Sequence, residues 1–261
     1  MSIVSDLSTA HSSGIWIDLV LFIYSVAVAT TAAPVVTTSA PSTTEKAVVV
    51  KPICDKVMNV GFILDSSENV KDKYDVEKSF MKKLAASFGV SPDGSKASVI
   101  AYSDVADINI KFTDNDDVES FSDAVDKIPF MNSKSRIDKA LELADKAMFR
   151  QSNGAKPGVV DVLIILTTGT ESDDEDAVNP ASIAEEMIKT GVNIITVGIG
   201  PSVNKDRLGA ITGDEANVFM TASFDDLADP ALVKKINEHA CQKGMVLSIS
   251  YIVNHFHKNL N

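Results

Sequence analysis

Apolar residues along this chain fall into two rhythms. Short continuous runs occur at Val57 to Leu64 (VMNVGFIL), Ala97 to Tyr102 (ASVIAY), Val159 to Leu166 (VVDVLIIL) and Val192 to Ile199 (VNIITVGI). Each has the length and composition of a strand buried on both faces. Ile108 to Phe112 alternates apolar and polar and predicts an edge strand, and Val218 to Thr221 a brief further one. Between the runs the apolar spacing is helical. Tyr74 to Phe88 carries Val76, Phe80, Leu84 and Phe88 on one side. Val118 to Ile128, Ile137 to Phe149, Ile183 to Thr190 and Asp206 to Ile211 predict further helices, and Phe224 to Cys241 a last one broken near Pro230. Buried strands alternating with helices imply an α/β fold: a doubly wound, mostly parallel sheet with helices on both faces. Ligands of such folds bind outside the carboxyl ends of the strands. The loops after Leu64 and Leu166 are therefore the places to look for function.

The flanks differ from this body. Gly14 to Ala29 (GIWIDLVLFIYSVAVA) is apolar apart from Asp18, and Leu19 to Ala29 is short for a bilayer span, which needs about 20 residues. It fits the core of a signal peptide, with Ala27-Val28-Ala29 as a cleavage site, although no Lys or Arg precedes it. An uncleaved signal anchor and a buried core helix are the competing readings. Residues 30–53 begin TTAAPVVTTSAPSTT, a Thr/Ser/Pro-rich linker resembling an O-glycosylated stalk. The expected organisation is a signal peptide over 1–29, the linker over 30–53, one domain over 54–241 and a tail over 242–261 of unassigned role. The apolar tail segment Met245 to Val253 is too short to span a bilayer.

The 261 residues are 45% hydrophobic, enough for a sizeable core, and carry a formal net charge of −12. That acidity argues against nucleic acid and anionic membranes as partners and favours cations or basic surfaces. Two cysteines, Cys54 and Cys241, leave open one disulfide, two thiols or half a metal site. A secretory leader decides for the disulfide, which would tie the ends of the domain together. The leader also predicts secretion, with no membrane span after cleavage.

The chemistry sits at the strand ends. Asp65, Ser67 and Asn69, spaced two apart after the first strand, can turn three oxygens towards one point. Oxygen-only donors suit a hard cation such as Mg²⁺ or Ca²⁺. The same pattern also serves as a plain turn or a helix N-cap. Asp114 to Ser120 (DNDDVES) lacks the glycine and distal Glu of a calcium loop and reads as an acidic helix start. Gly198-Ile199-Gly200 lacks the third glycine of a dinucleotide loop. The four histidines, His11, His239, His255 and His257, lie away from the strand-end loops, and no nucleophile–base pair suggests an enzyme.

Four segments between the cysteines resemble a von Willebrand factor A domain. VGFILDSS (60–67) is similar to the family's first strand and the start of its Asp-x-Ser-x-Ser motif. SRIDKAL (135–141) resembles the segment with a Thr ligand before a helix. LIILTTG (163–169) resembles the strand that normally ends Thr-Asp-Gly, and IITVGIG (194–200) the strand after it. The resemblance implies a Rossmann-like fold and a metal ion held by Asp65, Ser67, Asn69, Ser135 and Thr168, with a ligand carboxylate filling an open position. Three positions depart from the family: Asn69 for Ser, Ser135 for Thr, and Thr168 for the second Asp. The first two keep an oxygen donor. The third leaves Asp65 as the only charge, which predicts a weak or lost Mg²⁺/Ca²⁺ site. The acidic run Glu171 to Asp176 (ESDDED) is either a solvated loop or a source of a replacement carboxylate.

Together these readings predict a non-enzymatic binding protein for cell–matrix or matrix–matrix adhesion. Its expected partner is an extracellular matrix protein, collagen-like by the resemblance, engaged through a carboxylate. The alternative is an acidic structural component of an extracellular or mineralising matrix, binding calcium weakly over its surface.

Overall fold

A computed structural model describes residues 56–242. The leader, the linker, Cys54 and the tail from 243 lie outside the described residues.

Six described strands form one sheet in the order β3-β2-β1-β4-β5-β6. They are β1 (Met58–Asp65), β2 (Lys96–Tyr102), β3 (Ala106–Ile110), β4 (Val160–Thr167), β5 (Asn193–Ile199) and β6 (Val218–Thr221). Only β3 runs antiparallel, hydrogen-bonded to β2 at one edge. The other neighbours are parallel. The helices are α1 (Tyr74–Ser87), α2 (Val118–Asp126), α3 (Ile137–Leu143), α4 (Pro180–Lys189), α5 (Lys205–Thr212) and α6, over residues 230–242. No helix among the described residues is long and apolar enough to cross a membrane.

Alternation along the strands sends side chains to two cores. Val60, Phe62 and Leu64 of β1 pack with Phe80 and Leu84 of α1, Phe121 of α2 and Ile236 of α6. Ile63, between them, packs with Ile137 and Leu141 of α3, Met187 of α4 and Leu208 of α5. Every residue of β1 is buried, because a central parallel strand has helices on both faces. The doubly wound reading therefore holds in full.

Several boundaries differ from the sequence reading, each for a local reason. The edge strand was expected at Ile108 to Phe112 and lies at Ala106–Ile110. Beyond it the Lys111 N–H donates to the Asp114 carboxylate (2.8 Å) and the Phe112 N–H to the Asn153 carbonyl (3.0 Å), so neither joins the ladder. α4 starts three residues before Ile183, with Asn179 accepting from the Ala181 N–H and Pro180 in the first turn, a capping signal outside the apolar period. The helix over Ile137 to Phe149 is α only to Leu143 and then widens into a π-turn, Ala144–Met148. The acidic stretch before α2 is a helix start: Asp117 accepts from the Ser120 N–H in a capping box. The last helical segment breaks before Pro230, with a 3₁₀ turn at Phe224–Ala228.

The π-turn brings Met148 and Phe149 over Gly61. A Cβ at Gly61 would collide with the Met148 sulfur and come within 2.8 Å of Phe149 Cζ. Close approach thus favours glycine in the middle of the central strand, since any larger residue would have to displace both side chains. Glu77 of α1 is a second feature of this interior. It is fully buried, and neither carboxylate oxygen has a hydrogen-bond partner. Burial pushes its carboxyl well above the usual range, and the negative charge of Asp65 adds to the shift.

Two outcomes are expected. Gly61→Val lowers unfolding free energy by about 1–3 kcal/mol through overpacking, measured by urea denaturation. Glu77 holds its proton more tightly folded than unfolded, so it costs stability as pH rises above about 4.5, its unfolded value. Glu77→Leu should therefore raise stability at neutral pH by about 1–3 kcal/mol, with a smaller gain at pH 4, read from melting curves at both pH values.

Candidate metal centre

The chain leaves β1 towards β2 and β3 on one side, and later builds β4, β5 and β6 on the other. The order reverses between β1 and β4, and a crevice opens there beyond their carboxyl ends. Asp65 ends β1, Thr167 ends β4, and Thr168 follows it.

Asp65 is fully buried. Its Oδ1 accepts the Ser67 N–H at 2.9 Å, and its Oδ2 accepts the Thr168 hydroxyl at 3.4 Å. Burial raises its carboxyl above the usual range, opposed by the polar groups of Ser67, Thr168 and Tyr102 around it. Gly169 follows in a left-handed conformation (φ 73°), where a Cβ would lie 2.9 Å from the Val203 backbone. Glycine is required for β4 to turn away at this point.

The loop before α3 closes the other side. The Met131 N–H donates to Ser66 Oγ (2.8 Å), the Asn132 N–H to the Ser66 carbonyl (2.9 Å), and the Glu68 N–H to the Ser133 carbonyl (2.8 Å). Asn132 adopts positive φ (53°), a conformation asparagine tolerates better than most residues. The Arg136 N–H reaches the Ser103 carbonyl, and the Ser172 N–H the Ser135 carbonyl. These bonds draw the loops at 65–69, 129–136 and 168–172 into one cluster.

Within the cluster, Ser67 and Ser135 are buried, and neither Oγ has a hydrogen-bond partner. A buried hydroxyl without a partner costs about 1–3 kcal/mol. Thr168 is largely buried, and Asn69 is exposed at the rim. Asn69 and Thr168 line a groove of about 420 Å³ with Lys73, Ile199, Phe224 and Asp225. A larger groove of about 690 Å³ lies beyond the acidic loop, and its lining includes none of the five predicted residues.

Among the described residues no three of His, Cys, Asp and Glu gather as a metal cage. A cation at these loops must therefore be held by hydroxyl and amide oxygens around one carboxylate. The donor set fits a hard divalent ion, which accepts neutral oxygens. The two unpartnered serine hydroxyls are the atoms such an ion would satisfy.

The acidic run is exposed at Asp173, Glu175 and Asp176, but several of its carboxylates are tied down. Arg136, 4% exposed, makes a bidentate pair with Asp138 (2.7 and 2.9 Å) and reaches Asp176 (2.7 Å) and Asp174 (3.5 Å). Lys134 also holds Asp174 (2.6 Å), and Arg207 holds Glu171 (2.7 Å). Burial alone would raise the Asp138 carboxyl, but the Arg136 guanidinium and the Val178 N–H hold it below the usual range. Burial raises Glu171, against the pull of Arg207. Three carboxylates of the run are thus engaged by cationic side chains of this chain.

Two polar residues near Asp65 carry no motif in the sequence: Tyr102, fully buried with an unpartnered hydroxyl, and Glu77. Both read as core positions. The signal that finds Tyr102 is strand register, since it is the β2 partner of Asp65. His239 contacts Asn217 (2.6 Å), away from the strand-end loops.

Comparison with known proteins agrees with this architecture. The model of the von Willebrand factor type A domain matches residues 59–232. The collagen alpha-5(VI) chain of Homo sapiens is 28% identical over 219 residues, covering 79% of this chain and 8% of that one. Matrilin-1 of Gallus gallus is 25% identical over 187 residues, covering 70% of this chain and 36% of that one. These relatives are extracellular matrix proteins, of which the present chain spans only a fraction. Among solved structures, proximal thread matrix protein 1 from the mussel byssus superposes with a TM-score of 0.67 at 24% identity, covering 72% of this chain and 49% of that one. A further structure of that protein has zinc in its MIDAS motif. A match from the first strand into the last helix, on a sheet of this order, establishes that the chain belongs to the von Willebrand factor type A domain family.

Proposed function

We propose that this domain is a divalent-cation-dependent binding module of a secreted matrix protein. The observation that carries the reading is the pair of buried, unpartnered hydroxyls, Ser67 Oγ and Ser135 Oγ, in the loops gathered around Asp65. Asp65, Ser67, Asn69, Ser135 and Thr168 would hold Mg²⁺ or Ca²⁺. The bound ion supplies an electrophilic position for a carboxylate of the partner. The mussel structure with zinc in its motif supports a metal role for loops of this fold.

The chain's own residues set the character of the site. Asp65 contributes its single negative charge, oriented by the Ser67 N–H. Thr168 contributes a hydroxyl already turned to Asp65. With one carboxylate instead of two, affinity is low, and the partner's carboxylate contributes a larger share of the ion's charge balance. The groove beside Asn69 and Thr168 gives that partner the half-buried ring of Phe224, next to the Lys73–Asp225 pair (3.7 Å). An extracellular matrix protein bearing an acidic residue, collagen-like among the candidates, matches this surface. Secretion through the leader, the Cys54–Cys241 disulfide and a stalk over 30–53 complete the proposal.

Calorimetric titration of the full chain with Mg²⁺ and with Ca²⁺ tests the reading. One saturable site is expected, lost in Asp65→Ala while the melting curve stays cooperative. Many weak, salt-sensitive sites would instead favour a structural matrix role through the acidic surface. Thr168→Asp restores a second carboxylate, so affinity should rise about tenfold, equivalent to about 1.4 kcal/mol. The same change places two carboxylates together, so the cation-free variant should melt at a lower temperature and recover with added cation.

A further inference from the structure

Tyr102 is the β2 residue in register with Asp65, so the two side chains leave the sheet on the same face. Its phenol is fully buried beside Asp65, Ser135 and Thr167, yet its hydroxyl makes no hydrogen bond. Ser135 Oγ, next to it, is also unpartnered. Two orphaned hydroxyls side by side are costly, since a buried tyrosine hydroxyl normally finds a partner. A phenylalanine would fill the same volume without that cost. Packing therefore does not account for the oxygen.

A serine that gives a lone pair to a cation keeps its proton, and that proton must point away from the ion to an acceptor. Asp65, for its part, must hold one carboxylate orientation towards the ion, and ligating carboxylates are in turn held by hydrogen bonds. A phenol can accept one bond and donate another. The Thr167 hydroxyl oxygen already accepts the Gly169 N–H, at 3.0 Å. Glu77 has no hydrogen-bonded link to these loops, since both its oxygens are unpartnered.

We propose that Tyr102 is a positioning residue of this centre: its phenol accepts from the Ser135 hydroxyl and donates to the Asp65 carboxylate when a divalent cation is held. The relay turns the Ser135 lone pair outward to the ion and fixes the orientation of the Asp65 carboxylate. It supplies by hydrogen bonding part of what a second carboxylate at position 168 would supply by charge. The inference rests on the cation site proposed above.

The test compares the full chain with its Tyr102→Phe, Ser135→Ala and double variants, titrated calorimetrically with Mg²⁺ and with Ca²⁺. Tyr102→Phe should bind about tenfold more weakly, the scale of lost outer hydrogen bonds at metal sites. Its cation-free melting temperature should stay equal or rise, because an orphaned hydroxyl has been removed. In the Ser135→Ala background the same change should have little further effect, since the two act through one bond. Saturating cation should also perturb the tyrosine absorption of the wild type and not that of Tyr102→Phe. Wild-type affinity retained in Tyr102→Phe overturns the role of Tyr102 and leaves the cation site standing. A cation-free melting temperature that falls together with affinity overturns it too, by assigning Tyr102 to packing. Absence of saturable binding in the wild type overturns the cation site itself, and this role with it.

Discussion

A single carboxylate buried at the end of the central strand constrains everything around it. Asp65 is out of contact with solvent, where an ionised carboxylate loses its hydration and must be compensated by nearby dipoles. The compensation within the chain is modest: one backbone N–H at 2.9 Å and a longer threonine hydroxyl contact. Among the described residues no cationic side chain forms an ion pair with it, and Arg136, in the same loop cluster, is committed to Asp138 and the acidic run. The loops at 129–136 and 168–172 are therefore placed around a buried carboxylate that the chain itself compensates little. The parallel sheet makes this arrangement possible, since only at the reversal between β1 and β4 do two strand ends leave room for loops to meet.

Arg136 explains why the acidic loop does not fill that opening. Five hydrogen bonds from one buried guanidinium hold Asp138, Asp174 and Asp176. Breaking such a network by removing one partner would leave buried charge uncompensated, so the loop has little freedom to turn a carboxylate elsewhere. The fixed loop also fixes Ser135, whose carbonyl accepts the Ser172 N–H. Charge that looks available in the sequence is thus spent on geometry. The remaining acidity of the chain, a formal −12, acts over longer distances by favouring the approach of cations and basic partners.

The sheet was legible because its strands are continuous apolar runs, and strands buried on both faces have no other way to look. The meeting of Asp65, Ser67 and Thr168 was legible because strand ends in this fold lie together regardless of sequence distance. What was not legible depends on partners far along the chain. The pairing of Arg136 with Asp174 and Asp176 spans about 40 residues and has no periodic signature. The boundary of β3 turned on Asn153, which draws the Phe112 N–H out of the ladder. Tyr102 and Glu77 were hidden for another reason. Each sits at a core position of its element, and a sequence pattern reports burial without reporting whether a polar atom there is satisfied.

Those unsatisfied atoms bear on how binding and stability are coupled. Ser67, Ser135 and Tyr102 each bury an oxygen with no partner beside Asp65. Every such atom costs the folded chain free energy while the centre is empty of charge. A ligand that binds only the folded state and satisfies those atoms returns that free energy as affinity, and it stabilises the fold by the same linkage. Loss of the second aspartate moves the balance in the opposite direction, removing like-charge repulsion at the cost of attraction for the ion. Under the proposed reading such a domain trades cation affinity for tolerance of the ion-free state. Weak binding would then follow from the charge count, while the alignment of hydroxyls would keep the binding specific to one place on the sheet.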